Sequence, residues 1–141
     1  MEELEFRETN RGLRLFAGSR ALTAPDPATS AARRLGGVPV APGRLFFLVS
    51  PVFPDSLTQF IDSLEEGCYV IALEAETKAV HRDNRWAQLE ERPGFLTLFG
   101  YSLEAAVDWV ERLIAGSRVR SIHAVWMTSA AQRNRTYYEA L

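Results

Sequence analysis

Residues 44–76 constrain the fold more than any other stretch. Leu45-Phe46-Phe47-Leu48-Val49 is an unbroken apolar run, the pattern of a parallel strand covered on both faces. Pro54 follows, and Asp55 stands where an N-cap is wanted. Leu57, Phe60, Ile61 and Leu64 then recur at helical spacing and make one apolar stripe. Gly67 sits where a helix end favours a left-handed residue. Cys68 to Leu73 is a second apolar run, followed by Glu74 and Glu76. Strand, tight loop, helix and strand in this order predict the opening β-α-β unit of a Rossmann-like domain.

The loop after the first strand carries most of the functional argument. A dinucleotide or S-adenosylmethionine site wants glycine there, so that the backbone can turn sharply and approach the ligand. The segment Ser50-Pro51-Val52-Phe53-Pro54-Asp55-Ser56 has none. Its two prolines remove two backbone donors. Val52 and Phe53 fill space, and Asp55 puts negative charge where an anion would sit. The favoured reading is a strand-helix corner that binds nothing, since this fold does not itself imply a ligand. The alternative is a degenerate nucleotide- or S-adenosylmethionine-binding, methyltransferase-like enzyme domain. Ser50, Asp55, Glu74 and Glu76 would then line a pocket at the C-terminal edge of the strands.

The 141 residues suffice for one domain, with residues 1–22 as a β-ribbon extension and 44–141 as an α/β core. Leu4 to Glu8 alternates, Asn10-Arg11-Gly12 supplies turn chemistry, and Leu13 to Phe16 returns. Gly18-Ser19 offers a second turn. Asp26-Pro27 starts a helix that Gly36-Gly37 stops. Residues 38–43 form a short connector. A polar helix from Lys78 or Asp83 to Glu91 is anchored by Trp86 and Leu89. Phe95 to Phe99 is a third core strand. Ser102 caps the strongest helix, whose inner face carries Leu103, Ala106, Val107, Val110, Leu113 and Ile114, and Gly116 ends it. Val119 to Met127 reads as a strand and Ala130 to Leu141 as a helix. The alternation predicts an α/β class with a mainly parallel sheet.

Composition narrows the function classes. A net charge of −2 gives no basic face for nucleic acid. The single cysteine, Cys68, can form no internal disulfide and reads as a buried structural thiol. No leader of the secretory type opens the chain, and no apolar run reaches the roughly 20 residues of a membrane span. The expected setting is cytoplasmic, without a membrane partner. His81 and His123 lack the companions of a metal site; His81 reads as solvated, His123 as a core histidine. There is no nucleophile elbow and no P-loop. No catalytic residue, cofactor or metal is expected. Arg133-Asn134-Arg135-Thr136-Tyr137-Tyr138 could grip an anionic sugar or phosphate, but packing of an amphipathic helix is favoured.

The order of features resembles the N-terminal domain of the motility accessory factor (Maf) glycosyltransferases. The resemblance rests on Glu8-Thr9 with Gly12 in an opening ribbon and Asp26-Pro27 at a helix start. It continues through Phe46 to Val49, Val70-Ile71-Ala72-Leu73-Glu74 and Tyr137-Tyr138-Glu139. It implies a Rossmann-like domain lying ahead of a transferase domain in flagellin glycosylation, and a chain cut from a longer one. That family often has a glycine-rich loop where this chain has Ser50 to Ser56, and no catalytic residue carries over. The implied role is structural: packing against another domain of the parent chain, a second copy, or flagellin. Tyr137, Tyr138 and Leu141 are the expected contact residues, frayed or buried between chains. The ribbon edge from Leu4 to Phe16 is the next candidate.

Overall fold

The structure, a computed structural model, describes residues 3–38, 41–65 and 67–141. Pro39 and Val40 of the connector lie outside the described residues. The class is α/β, with a four-stranded parallel sheet flanked by helices and a separate three-stranded antiparallel sheet.

The antiparallel sheet is built from β1 (Leu4–Thr9), β2 (Gly12–Ala17) and β3 (Arg20–Ala21), in that order. Its register sets Leu4 against Ala17 and Thr9 against Gly12. Gly12 and Gly18 take φ values of 123° and 60°, which tight turns demand and which other residues rarely adopt. Helix α1 (Pro27–Gly36) follows. The Asp26 side chain accepts from the Thr29 amide, proline opens the first turn, and Arg33 and Arg34 lie at the negative end of the helix dipole.

The parallel sheet contains β4 (Arg44–Val49), β5 (Tyr69–Glu74), β6 (Phe95–Phe99) and β7 (Ser121–Trp126). Their order is β6-β5-β4-β7. The connecting helices are α2 (Leu57–Asp62), α3 (Asn84–Glu90) and α4 (Leu103–Ala115), and α5 (Arg135–Ala140) follows β7. Successive strand residues point to opposite faces, so each apolar run serves two cores. Phe46, Leu48, Val70 and Ala72 pack with Leu57, Phe60, Trp86 and Leu89 of α2 and α3. Leu45, Phe47, Ile71 and Leu73 pack with Ala106 and Val110 of α4 and with Tyr138. A third cluster joins Leu15, Ala17 and Leu22 of the ribbon to Val52, Phe53, Ala79 and Ala130. The ribbon is therefore fastened to the loop that follows β4.

Five local expectations need correction, the first being Leu103, which opens α4 exposed rather than on its inner face. Asp55 does not cap α2; Ser56 is its N-cap and makes no side-chain capping bond. That helix ends at Asp62, so Leu64 packs on the core from outside it. Cys68 is only half-buried and precedes β5; its thiol donates to the Ala41 carbonyl at 3.2 Å. The segment from Ala130 is not α-helical at its start. Ser129–Asn134 forms 3-10 turns before α5 begins at Arg135. Among the described residues, no helix is long and apolar enough to cross a membrane.

Candidate functional site

The strand order reverses between β4 and β7: β5 and β6 lie on one side of β4, β7 on the other. In open α/β sheets, the crevice at the C-terminal ends of the strands beside such a point is where ligands bind. Here side chains of the protein itself occupy it.

Ser50 is the first residue after β4. It is fully buried, with a left-handed φ of 48°. Its amide donates to the Leu73 carbonyl at 2.9 Å, and its carbonyl accepts from Thr128 Oγ1 at 2.7 Å. Val52, also fully buried, has φ 67° and accepts from the His81 amide at 2.9 Å. Ser56 has φ 66°. Three residues other than glycine in the left-handed region, within one loop, mark a backbone held by its surroundings rather than by its own preference. Phe53 helps hold it. Its ring lies 5.9 Å from Phe6 of β1 and 5.4 Å from His81.

Glu74 closes β5 and is 1% exposed. Its Oε1 accepts from Ser50 Oγ at 2.8 Å. Its Oε2 accepts from the Glu76 amide at 2.9 Å and from Tyr138 Oη at 3.0 Å. Tyr138 Oη also lies 2.9 Å from Ser50 Oγ and accepts from the Ala75 amide at 2.9 Å. Burial pushes the Glu74 carboxyl above its ordinary range, against the pull of the Glu76, Ser50 and Tyr138 hydrogen bonds. Tyr138 is pushed up as well, first by burial and then by the neighbouring carboxyl.

The structure thus joins Ser50 to Glu74. Asp55 instead pairs with Arg85 at 2.9 Å, and Glu76 with Arg133 at 2.9 Å. Glu76 and Arg133 border an open groove of about 540 Å³ beside Thr77 and Lys78. His81 is not a solvated side chain. It is half-buried between the rings of Phe6 and Phe53. His123 is half-buried in β7, 6.2 Å from the Phe46 ring. Of the three expected contact residues, Tyr138 is buried within its own chain. Tyr137 donates to the Tyr101 carbonyl at 2.9 Å, and Leu141 is half-buried against the α4-side core.

The sequence sets Ser50 and Glu74 with Asp55 and Glu76 at one strand edge and favours both glutamates as solvated carboxylates; the structure buries Glu74 instead, against a Tyr138 that the sequence does not bring to it. One signal was present: an acid closing a strand apolar on both faces needs donors from elsewhere in the chain. Chemically the cluster is closed. Ser50 Oγ is sealed from solvent and engaged by two partners, so it offers no accessible nucleophile. Among the described residues, no group of three or more His, Cys, Asp and Glu side chains is placed to hold a metal ion. Compared with family models, curated proteins and solved structures, the chain has no match in any of the three.

Proposed function

We propose that this chain is a noncatalytic Rossmann-like interaction domain, cytoplasmic and similar in role to the N-terminal domain of the Maf-type flagellin glycosyltransferases. The observation that carries the reading is the self-filled crevice. Val52 and Tyr138 are buried at the switch-point edge of the sheet, and Ser50 and Glu74 are consumed in holding Tyr138. A fold that closes its own ligand crevice is left with its surfaces to work with.

The surface best suited to a partner is β7. It is an edge strand, and Ser121–Trp126 contains neither charge nor proline to discourage pairing. Ile122 is 51% exposed on it. The partner is a second copy of this chain, another domain of a parent protein, or flagellin. A second copy can be tested directly, because an uncharged strand can pair with itself about a two-fold axis. Ile122→Lys should abolish self-association in light scattering at high concentration, with the unfolding transition unchanged. A wild-type protein that stays monomeric under those conditions removes the second copy as partner.

A small-molecule reading retains one observation in its favour, the groove beside Glu76, Lys78 and Arg133. Thermal shifts with nucleotides, nucleotide sugars and S-adenosylmethionine decide between the two. A ligand at 100 times its dissociation constant adds about 2.7 kcal/mol. Such a shift would replace the noncatalytic reading, and its absence across the set would eliminate the small-molecule one.

A further inference from the structure

Ser50, Glu74 and Tyr138 make three oxygen–oxygen contacts: Ser50 to Glu74 at 2.8 Å, Ser50 to Tyr138 at 2.9 Å and Tyr138 to Glu74 at 3.0 Å. Each contact needs one proton between its oxygens. The two hydroxyls bring two. If both point at an ionised Glu74, the Ser50 and Tyr138 oxygens face each other at hydrogen-bond distance with nothing between them. One more proton, on the carboxyl, completes a closed ring in which each of the three groups donates once and accepts once, the carboxyl donating through one oxygen and accepting through the other. This holds whichever way round the ring the protons run. The Ala75 and Glu76 amides fill remaining acceptor sites on Tyr138 and Glu74 and are compatible with either direction.

We infer that Glu74 is the proton-bearing member of a three-proton ring that latches the C-terminal helix α5 to the sheet, and that loss of this proton releases the latch. Tyr138 is the ring member contributed by α5. Its side chain also packs edge-on against Trp126 of β7 at 5.8 Å, so the ring clamps the helix where β4, β5 and β7 end.

The charged and titratable groups around Glu74 act in known directions. Glu76, two residues on, repels a charge on Glu74 and raises its pKa. Arg133, from the turns before α5, is engaged with Glu76. Tyr137 and Tyr138 of α5 are both raised in part by Glu74. On β6 the register partner of Glu74 is the uncharged Phe99, and on β4 the last paired residue is the uncharged Val49, opposite Leu73. Burial is the largest influence and favours the neutral acid. A raised carboxyl means that the folded protein keeps a proton which the unfolded chain gives up. The stability it contributes is complete below the ordinary glutamate range and is lost as pH rises through the raised value.

The test compares wild type with Glu74→Gln in urea unfolding over a pH series. Glutamine fits the ring with its amide nitrogen towards Ser50 and its oxygen towards Tyr138 and the Glu76 amide, but it cannot ionise. The difference between the two proteins removes the contributions of Asp26 and Asp83, which are lowered in both. Relative to the variant, the wild-type unfolding constant should rise with pH, by up to about tenfold per pH unit at its steepest. The variant should be the more stable protein at the alkaline end. A relative rise in wild-type stability with pH would overturn the inference. If the variant does not fold, infrared spectroscopy of the wild type decides. As pH rises through and beyond the range in which exposed carboxyls ionise, the band of one protonated carboxylic acid should outlast the others before it too vanishes. A folded protein in which no such band outlasts the others refutes the ring.

Discussion

β4 and β6 run the same way in one sheet, and each hands the chain to a helix at the same edge. The two corners are built by opposite means. After β6, Gly100 takes the left-handed turn, with φ 75°. Ser102 caps α4 by accepting from the Ala105 amide at 3.2 Å, and the helix runs thirteen residues to Gly116. After β4, three residues other than glycine are left-handed. Ser56 caps nothing with its side chain, and α2 lasts six residues. The first corner follows from its own residues. The second exists because Thr128, His81, Tyr138 and Phe6 hold it from elsewhere in the chain. Strain of about 1 kcal/mol for each left-handed residue is tolerated there because a buried polar cluster and an aromatic cluster over-determine the loop.

If that contrast is right, the distant supports matter more than the local ones. Phe53→Ala removes the ring between the loop and the ribbon and should cost about 3 kcal/mol in urea unfolding. Hydrogen exchange should show the loss first in β1 and β2, which the same aromatic cluster fastens. A cost near that of a surface substitution would mean that the loop keeps its shape unaided. At the other corner, Ser102→Ala deletes a local cap and should cost about 1 kcal/mol, with exchange rising only in the first turn of α4. The smallest effect has the opposite sign. Ser56→Gly relieves about 1 kcal/mol of left-handed strain and adds about 0.5 kcal/mol of unfolded-chain entropy. The net stabilisation of about 0.5 kcal/mol should appear as a raised urea midpoint. A lowered midpoint would show that Ser56 is not strained.

The same contrast explains what could be read from sequence. Asp26-Pro27, Phe95 to Phe99, and Ser102 with Gly116 were legible because capping and strand patterning act over a few residues. Asp55 misled because α2 begins one residue later than its position suggests, with Ser56 as N-cap, and the Asp55 carboxylate pairs with Arg85, 30 residues away. The Ser50, Glu74 and Tyr138 cluster joins positions 24, 64 and 88 residues apart. No local pattern encodes such distances, so the acid at the end of β5 was visible and its partner was not. Ala130 onwards reads as α-helix, whereas Ala130 and Ala131 in fact pack into two different clusters and the backbone winds more tightly through Asn134.

The strand order also sets a timetable. A chain emerging from the ribosome meets its N-terminal part first. β4 can take β5 as neighbour early, and β6 can follow on the far side of β5. The other flank of β4 stays bare until Ser121–Trp126 has been made. Until then the nascent chain carries an apolar central strand with one side unzipped, the state most open to pairing with a stranger. When β7 arrives it seals that side and becomes the new border of the sheet, so the exposed flank passes from the heart of the fold to its rim.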